Sequence, residues 1–395
     1  MNTGPRHWTW RRLRLSYGSE FLEWVQQSGA KRHALQNVGG SLLLFFQRWF
    51  LDGEHGDRSV ERARFFEQLV PTAQCCDQVL YDDVPTAAAY AFQHLLERYR
   101  RTWQVLEELM HHGALPFGRY GVNLLDVGTG PAPTIYAIRD FYGVLNDFAD
   151  ERNVPIPPLF IEPAVVEPAH GMVLFMHNLS EVMMAVRPNQ KSGPFGARFS
   201  YLRDVDIGAL REDAIERTIA ELLREDDDLS PAYARKLANE SGELVRQFSY
   251  RFIVFSNVLT TMGFTQECLP TIIALLENQT AGAIAYFTGG VGRGGDDNKD
   301  YQEIFHLVDA AAATAAWTLL DLPAVLMSRY DDEEAAEVAR YQRQIWSLFR
   351  EHSRHEAAGV EPKLPHLSHV FQDDYTGKGA GPFSVRVYRK GRLPQ

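Results

Sequence analysis

Leu124-Leu125-Asp126-Val127-Gly128-Thr129-Gly130-Pro131-Ala132-Pro133 is the stretch that decides the fold. A short apolar run from Val122 to Val127 leads into glycines at alternate positions, and Pro133 opens a helical period through Ile135, Ile138 and Phe141. The order is strand, glycine turn, helix. A tight turn at the carboxyl end of a strand brings backbone close to a ligand, and the helix that follows offers free N–H groups to an anionic group. A nucleotide-like ligand is implied. A dinucleotide fingerprint would require a third glycine where Pro133 stands, and no Gly-Lys-Ser or Gly-Lys-Thr of a Walker sequence occurs anywhere.

Outward from this turn, strand-like runs are expected at 164–166, 199–202, 252–255 and 283–287, with a closing hairpin formed by 369–371 and 383–388. Helical stretches lie between them, so strands and helices alternate as in a doubly wound sheet. Residues 211–247 interrupt that alternation with a charged helical insertion containing Glu225-Asp226-Asp227-Asp228, read as a solvated face. Upstream, residues 1–118 read as all-helical. Pro85 opens the clearest helix, with Ala88, Phe92, Leu95, Tyr99, Trp103, Leu106 and Met110 at steps of three and four and an end at Gly113. Earlier apolar segments at 21–25, 42–50 and 63–69 are read as separate pieces, divided by Gly39-Gly40 and by the polar 52–57 turn.

A formal net charge of −11 disfavours a protein that coats phosphate backbones, without ruling nucleic acid out as a partner. Hydrophobic residues make up 45% of the chain, enough to build a sizeable core. Cys75, Cys76 and Cys268 neither make a disulfide framework nor show the paired spacing of a zinc site, which points to a reduced, cytoplasmic protein. No apolar core of a signal peptide follows the early arginines. The alanine-rich stretch 307–327 is broken by Asp309, Asp321 and Pro323, so it reads as a buried helix stopping near Asp321 and not as a membrane span.

The run Asp126-Val127-Gly128-Thr129-Gly130 resembles motif I of the class I S-adenosylmethionine-dependent methyltransferases, with Ala132 where the third glycine would be. Alanine there removes some backbone freedom. Val165-Val166-Glu167-Pro168-Ala169-His170-Gly171-Met172 resembles motif II, whose acidic residue accepts both ribose hydroxyls. Glu167 stands 37 positions after Gly130, and Glu162-Pro163 is a rival assignment. Tyr201-Leu202-Arg203-Asp204-Val205 is similar to motif III, and Phe252 to Leu259, with Ser256 and Asn257, to motif IV.

The resemblance covers roughly residues 120 to 290. It implies a seven-stranded, mostly parallel Rossmann-like sheet with an antiparallel last strand, occupying 119–395, behind an N-terminal helical module that caps the site or forms a homodimer interface. It also implies S-adenosyl-L-methionine as cofactor, held by Asp126, Gly128, Thr129, Gly130, Glu167, Pro168, Asp204, Val205, Ser256 and Asn257. The implied activity is methyl transfer to a small-molecule acceptor. Two alternatives stay open: a non-methylating enzyme that releases methylthioadenosine from the same cofactor, and an RNA- or ribosome-associated factor of methyltransferase-like fold. The second would be supported by a basic face joining Arg6–Arg14 to Arg386–Arg392.

Other candidates weigh less. His306, on the helix expected after the fifth strand, is the candidate general base. The pairs His352/His355 and His366/His369 lack completing ligands for a metal site, and His170 reads as a helix opener. Gly289 to Asp297 reads as a solvent loop, with a mobile lid as the functional alternative. Tyr90, Tyr99 and Arg100 are candidates to roof the cofactor, Tyr99 reading rather as core. Trp8-Thr9-Trp10-Arg11-Arg12 reads as a docked terminal arm, with base stacking as its alternative, and Cys75-Cys76 as buried filling.

Overall fold

A computed structural model of the chain describes residues 10–51, 57–74, 78–117, 121–154, 160–186, 200–202, 250–290, 301–326, 332–371 and 383–391. Helices α1 (Trp10–Ser28), α2 (Ala30–Phe46), α3 (Ser59–Gln74) and α4 (Val84–His111) come first. Strand β1 (Gly121–Val127) and helix α5 (Pro133–Glu151) flank the glycine turn, followed by β2 (Phe160–Val166), α6 (His170–Val186) and β3 (Ser200–Leu202). Then come β4 (Phe252–Ser256), α7 (Met262–Glu277), β5 (Ile284–Gly290), α8 (Tyr301–Thr314), β6 (Trp317–Leu319) and β7 (Val325–Leu326). Helices α9 (Asp332–His352), α10 (Arg354–Val360) and α11 (Ser368–Phe371) precede the last strand, β8 (Phe383–Lys390).

The strands form one mixed sheet in the order β3-β2-β1-β4-β5-β8-β6, with the two-residue β7 added beside β8. That makes eight strands among the described residues, one more than expected. β1 pairs in parallel with both β2 and β4, while β8 runs antiparallel to β5 and β6. Alternation along each strand sends its side chains to two cores. Val122, Leu124, Phe252, Val254, Ile284, Tyr286, Val385 and Val387 face one core, together with α2, α4, α5 and α9, whereas Leu125, Val127, Ile253, Phe255, Ala285 and Phe287 face α7 and α8. Residues of α1 to α4 share the first core with residues of the sheet.

Three expectations are corrected. Gly39 and Gly40 do not divide two segments; they sit inside α2 because a Cβ on Gly39 would fall 2.3 Å from the ring of Tyr341 on α9. Helix–helix approach overrides glycine's local preference there. The 307–327 stretch does not stay helical to Asp321. α8 ends at Thr314, Ala316 takes φ 58°, and Trp317 enters β6 with its indole N–H donating to the Leu276 carbonyl at 2.9 Å. Finally, 369–371 is a helical turn and not half of a hairpin. A three-residue apolar run has no periodicity that separates strand from helix, and β8 finds its partners in β5, β6 and β7 instead.

Among the described residues no helix is long and apolar enough to cross a membrane. The insertion 211–247, Cys75-Cys76, Trp8-Thr9, Arg6, the Pro155, Pro157 and Pro158 segment, and 291–297 of the glycine-rich stretch lie outside the described residues.

The two adjacent glycines of α2 give a matched test. Gly39→Ala should lose about 1–3 kcal/mol by overpacking against Tyr341. Gly40→Ala, whose Cβ would meet nothing closer than 3.9 Å, should gain up to about 1 kcal/mol from helix propensity. Urea denaturation of the two variants checks both signs.

Candidate functional site

In this strand order the switch point lies between β1 and β4, so a crevice opens at the carboxyl ends of β1, β2, β4 and β5. The turn after β1 uses three left-handed residues, Gly128 (φ 67°), Gly130 (φ 56°) and Ala132 (φ 62°). The Gly128 amide donates to the Val166 carbonyl at the end of β2 (2.8 Å), and the Thr129 hydroxyl folds back onto the Asp126 carbonyl (2.9 Å). A Cβ on Gly128 would lie 2.5 Å from Cγ2 of Val258, in the loop after β4, so glycine is required both for conformation and for space. Ala132 occupies a backbone region that costs a non-glycine residue on the order of 1 kcal/mol. Immediately after it, Pro133 starts α5.

Glu167 follows β2 directly. One of its carboxylate oxygens accepts from the Gly130 amide at 2.6 Å and the other from the Ala169 amide at 3.0 Å. This side chain therefore joins the β1 turn to the start of α6. Burial raises its pKa, and the two backbone amides oppose the shift. Glu162, the rival, is a mid-strand residue of β2 opposite Asn123, away from the crevice. Pro168 is exposed beside Glu167, and His170 is exposed at the first position of α6.

Asp126 is 1% exposed, and neither carboxylate oxygen has a hydrogen-bond partner among the described residues. Burial pushes it up to about 8, with the Thr129 hydroxyl opposing the shift and the Glu167 carboxylate adding to it. Asp126, Val254 and Tyr286 stand in register across β1, β4 and β5. The Tyr286 hydroxyl is buried, its pKa raised by desolvation and then by Asp126, with Thr102 of α4 and Thr134 of α5 facing it.

On the β4 side, Ser256 Oγ accepts from the Thr288 hydroxyl and from Asn257 Nδ2, each at 3.2 Å, and the Asn257 amide donates to the Thr288 carbonyl at 2.9 Å. Asn257 is itself left-handed (φ 57°). Above the turn, Tyr90 of α4 comes within 3.8 Å of where a Gly130 Cβ would be. The Tyr90 ring meets Tyr81 (5.4 Å) and His94 (4.8 Å), and the Arg98 guanidinium lies 4.9 Å from its centroid.

The structure thus brings together Asp126, Gly128, Thr129, Gly130, Glu167, Ser256 and Asn257 around one crevice, with Pro168 on its rim. Asp204 and Val205 lie outside the described residues. His306 is exposed on α8. Tyr99 and Arg100 serve the interior: the Tyr99 hydroxyl donates to Asp140 (3.0 Å) and Arg100 Nε to Glu334 (3.0 Å). Among the described residues no three His, Cys, Asp or Glu side chains could hold a metal ion. Sequence reading missed Val258, Tyr286, Thr288 and Tyr81. Thr288 was the most accessible of these, since it falls at the crevice end of the fifth strand. The others meet the turn only through tertiary packing.

No family model matches the chain, and no curated protein matches it. Solved structures with some likeness include coclaurine N-methyltransferase bound to N-methylheliamine and S-adenosylhomocysteine, at 9% identity, covering 93% of this chain and 100% of that one, TM-score 0.36. Another is Haemonchus contortus phosphoethanolamine N-methyltransferase 2 with phosphomonomethylethanolamine and S-adenosylhomocysteine (11%, 80% and 61%, TM-score 0.35). A third is loganic acid methyltransferase with S-adenosylhomocysteine (10%, 80% and 98%, TM-score 0.35). The chain thus spans 61% of the length of the Haemonchus protein.

Gly128→Ala should cost about 2–4 kcal/mol, combining left-handed strain with the Val258 clash. Ala132→Gly should leave stability unchanged or raise it by up to about 1 kcal/mol. Chemical denaturation midpoints of the two variants, moving in opposite directions or with the second unmoved, are the expected result.

Proposed function

We propose that the chain is an S-adenosyl-L-methionine-dependent methyltransferase acting on a small-molecule acceptor. The observation that carries this reading is the carboxylate of Glu167 at the end of β2, fixed against the Gly130 amide of the β1 turn. Each of its oxygens takes one backbone amide and keeps lone-pair capacity, so it suits a vicinal ribose diol. The residues present fit the cofactor on two further counts. A Cβ on Gly130 would meet only Tyr90, at 3.8 Å, so backbone is open to close approach, and Asp126 offers a buried carboxylate with unfilled acceptors beneath the turn.

When bound, the cofactor supplies an activated methyl on a sulfonium. The chain's residues bind and orient. Glu167 would hold the ribose at the end of β2, and Gly128, Ser256 and Asn257 would line the remainder of the crevice. Tyr90 covers the turn from above and excludes water. The acceptor then approaches from the carboxyl ends of β4 and β5, where Ser256, Asn257 and Thr288 supply polar contacts. Alignment and water exclusion are most of what the reaction asks of the protein. A small acceptor suits the acidic chain, whereas a basic RNA-binding face finds no support in Arg386, which lies 3.8 Å from Asp309. The proposal includes a cytoplasmic protein in which residues 1–118 roof the site and 119–395 carry the sheet, with a homodimer through the helical part as a further element.

Calorimetric titration with S-adenosylhomocysteine tests the reading. Wild-type protein should bind, Glu167→Ala should weaken binding by about 1–3 kcal/mol through lost charge-assisted hydrogen bonds, and Glu162→Ala should leave it unchanged. Absence of wild-type binding overturns the proposal. Mass analysis after incubation with the cofactor then separates chemistries: S-adenosylhomocysteine formed only with an added acceptor marks methyl transfer, and methylthioadenosine formed without one marks the lyase-type alternative.

A further inference from the structure

Beneath the glycine turn sits a carboxylate that has no countercharge among the described residues. Asp126 is fully enclosed, neither of its oxygens has a hydrogen bond of good geometry among the described residues, and the Thr129 hydroxyl beside it, which opposes the rise in its pKa, donates to the Asp126 main-chain carbonyl. The titratable groups that reach it are Glu167 from the end of β2 and Tyr286 from β5; neither is a cation. From α4 and α5 the groups facing this space are the hydroxyls of Thr102 and Thr134. On α5, Arg139 Nε pairs with the adjacent Asp140 at 2.7 Å, and Asp140 also accepts from the Tyr99 hydroxyl at 3.0 Å. An isolated carboxylate in such a place cannot stay ionised at acceptable cost, so it takes up a proton.

We propose that Asp126 is a neutral carboxylic acid in the empty protein and becomes the counter-ion of the ligand's positive charge, so that binding of a sulfonium- or ammonium-bearing ligand expels one proton to solvent. The inference rests on the cofactor reading given above and adds a local charge balance to it: one positive group of the ligand, sulfonium or ammonium, comes to the enclosed carboxyl and one proton leaves it. A carboxyl raised to about 8 by burial is mostly protonated at pH 7, which sets the release close to one proton. The device also discriminates. A ligand of similar shape without a positive charge has no means of displacing the proton, and meets a neutral donor where a cation meets an anion. Glu167 does not substitute for Asp126 in this role, because two backbone amides already stabilise its carboxylate and its remaining acceptor capacity is assigned to the ribose.

Titration of the full chain with S-adenosylmethionine and with S-adenosylhomocysteine, in phosphate and in Tris at pH 7, counts the protons released from the difference in apparent heats. The expected result is release of about one proton by the wild type and little by Asp126→Asn, which is isosteric with the neutral acid. Equal release from the two proteins overturns the proposal, and so does wild-type binding with no buffer dependence. If neither ligand binds the wild type at all, the cofactor reading itself has failed, which is a separate outcome. Should Asp126→Asn not fold, two measurements on the wild type decide. Affinity should rise about tenfold per pH unit from pH 6 toward 8 and then level off. The infrared carbonyl band of a protonated carboxylic acid should disappear when ligand is added. A flat pH profile or a persisting band refutes the inference.

Discussion

The bond between the Glu167 carboxylate and the Gly130 amide is the contact on which the crevice depends. Together with the Gly128 amide on the Val166 carbonyl it ties the β1 turn to the end of β2, and it steadies a turn whose alternate residues 128, 130 and 132 are left-handed, a conformation that alanine at 132 adopts only under strain. Val258 closes the same turn from the β4 side by filling the space a Gly128 side chain would need. With polar fixation on one flank and steric fixation on the other, the turn is preorganised without a ligand.

The helices of the N-terminal third make this possible by supplying the layer over the crevice-bearing face of the sheet. Helix α4 is capped by the Asp83 side chain on the Thr86 amide at 2.7 Å, and it passes Tyr90 over Gly130 before turning Tyr99 and Trp103 into the core. The segment before it docks on α6, where the Gly171 amide donates to the Tyr81 carbonyl at 2.8 Å and no Cβ would fit against Asp83. A charge network fixes the outer helices: Lys31 of α2 lies 3.1 Å from Glu107 of α4 and 3.2 Å from Glu334 of α9, and Arg100 of α4 reaches the same Glu334. Burial opposes the Lys31 charge, yet the two carboxylates raise its pKa overall. Two cations and two anions balance, the arrangement in which partly buried charges hold a fixed geometry without an unpaired member.

The parts of the fold legible in the sequence were those written in local pattern. Val122 to Val127 running into Gly128 and Gly130 reads as strand and turn because residues at neighbouring positions decide both features. Glu167 was preferred over Glu162 only by likeness to a motif, and the parallel register of β1 with β2 gives the physical reason, since it leaves Glu162 in mid-strand. The misread segments share one cause. Gly39, the 317–319 strand and the 369–371 turn each pack against a distant partner: Tyr341 for the first, β8 for the second, and Trp346 of α9, whose ring meets Phe371 at 4.8 Å, for the third. Local propensity contains none of these partners.

By itself the sequence determined the alternation of strands and helices, the position of the glycine turn and the presence of a carboxylate for the second strand, because periodicity and turn chemistry act over a few residues. Only the tertiary structure decided that Asp126 lies buried without a partner, that Tyr90 covers the turn, and that His306 stands exposed on α8 while Tyr99 and Arg100 belong to the interior. Burial and the company a charge keeps are set by elements far apart in the chain, and they emerge when the sheet and its helical layers close around it.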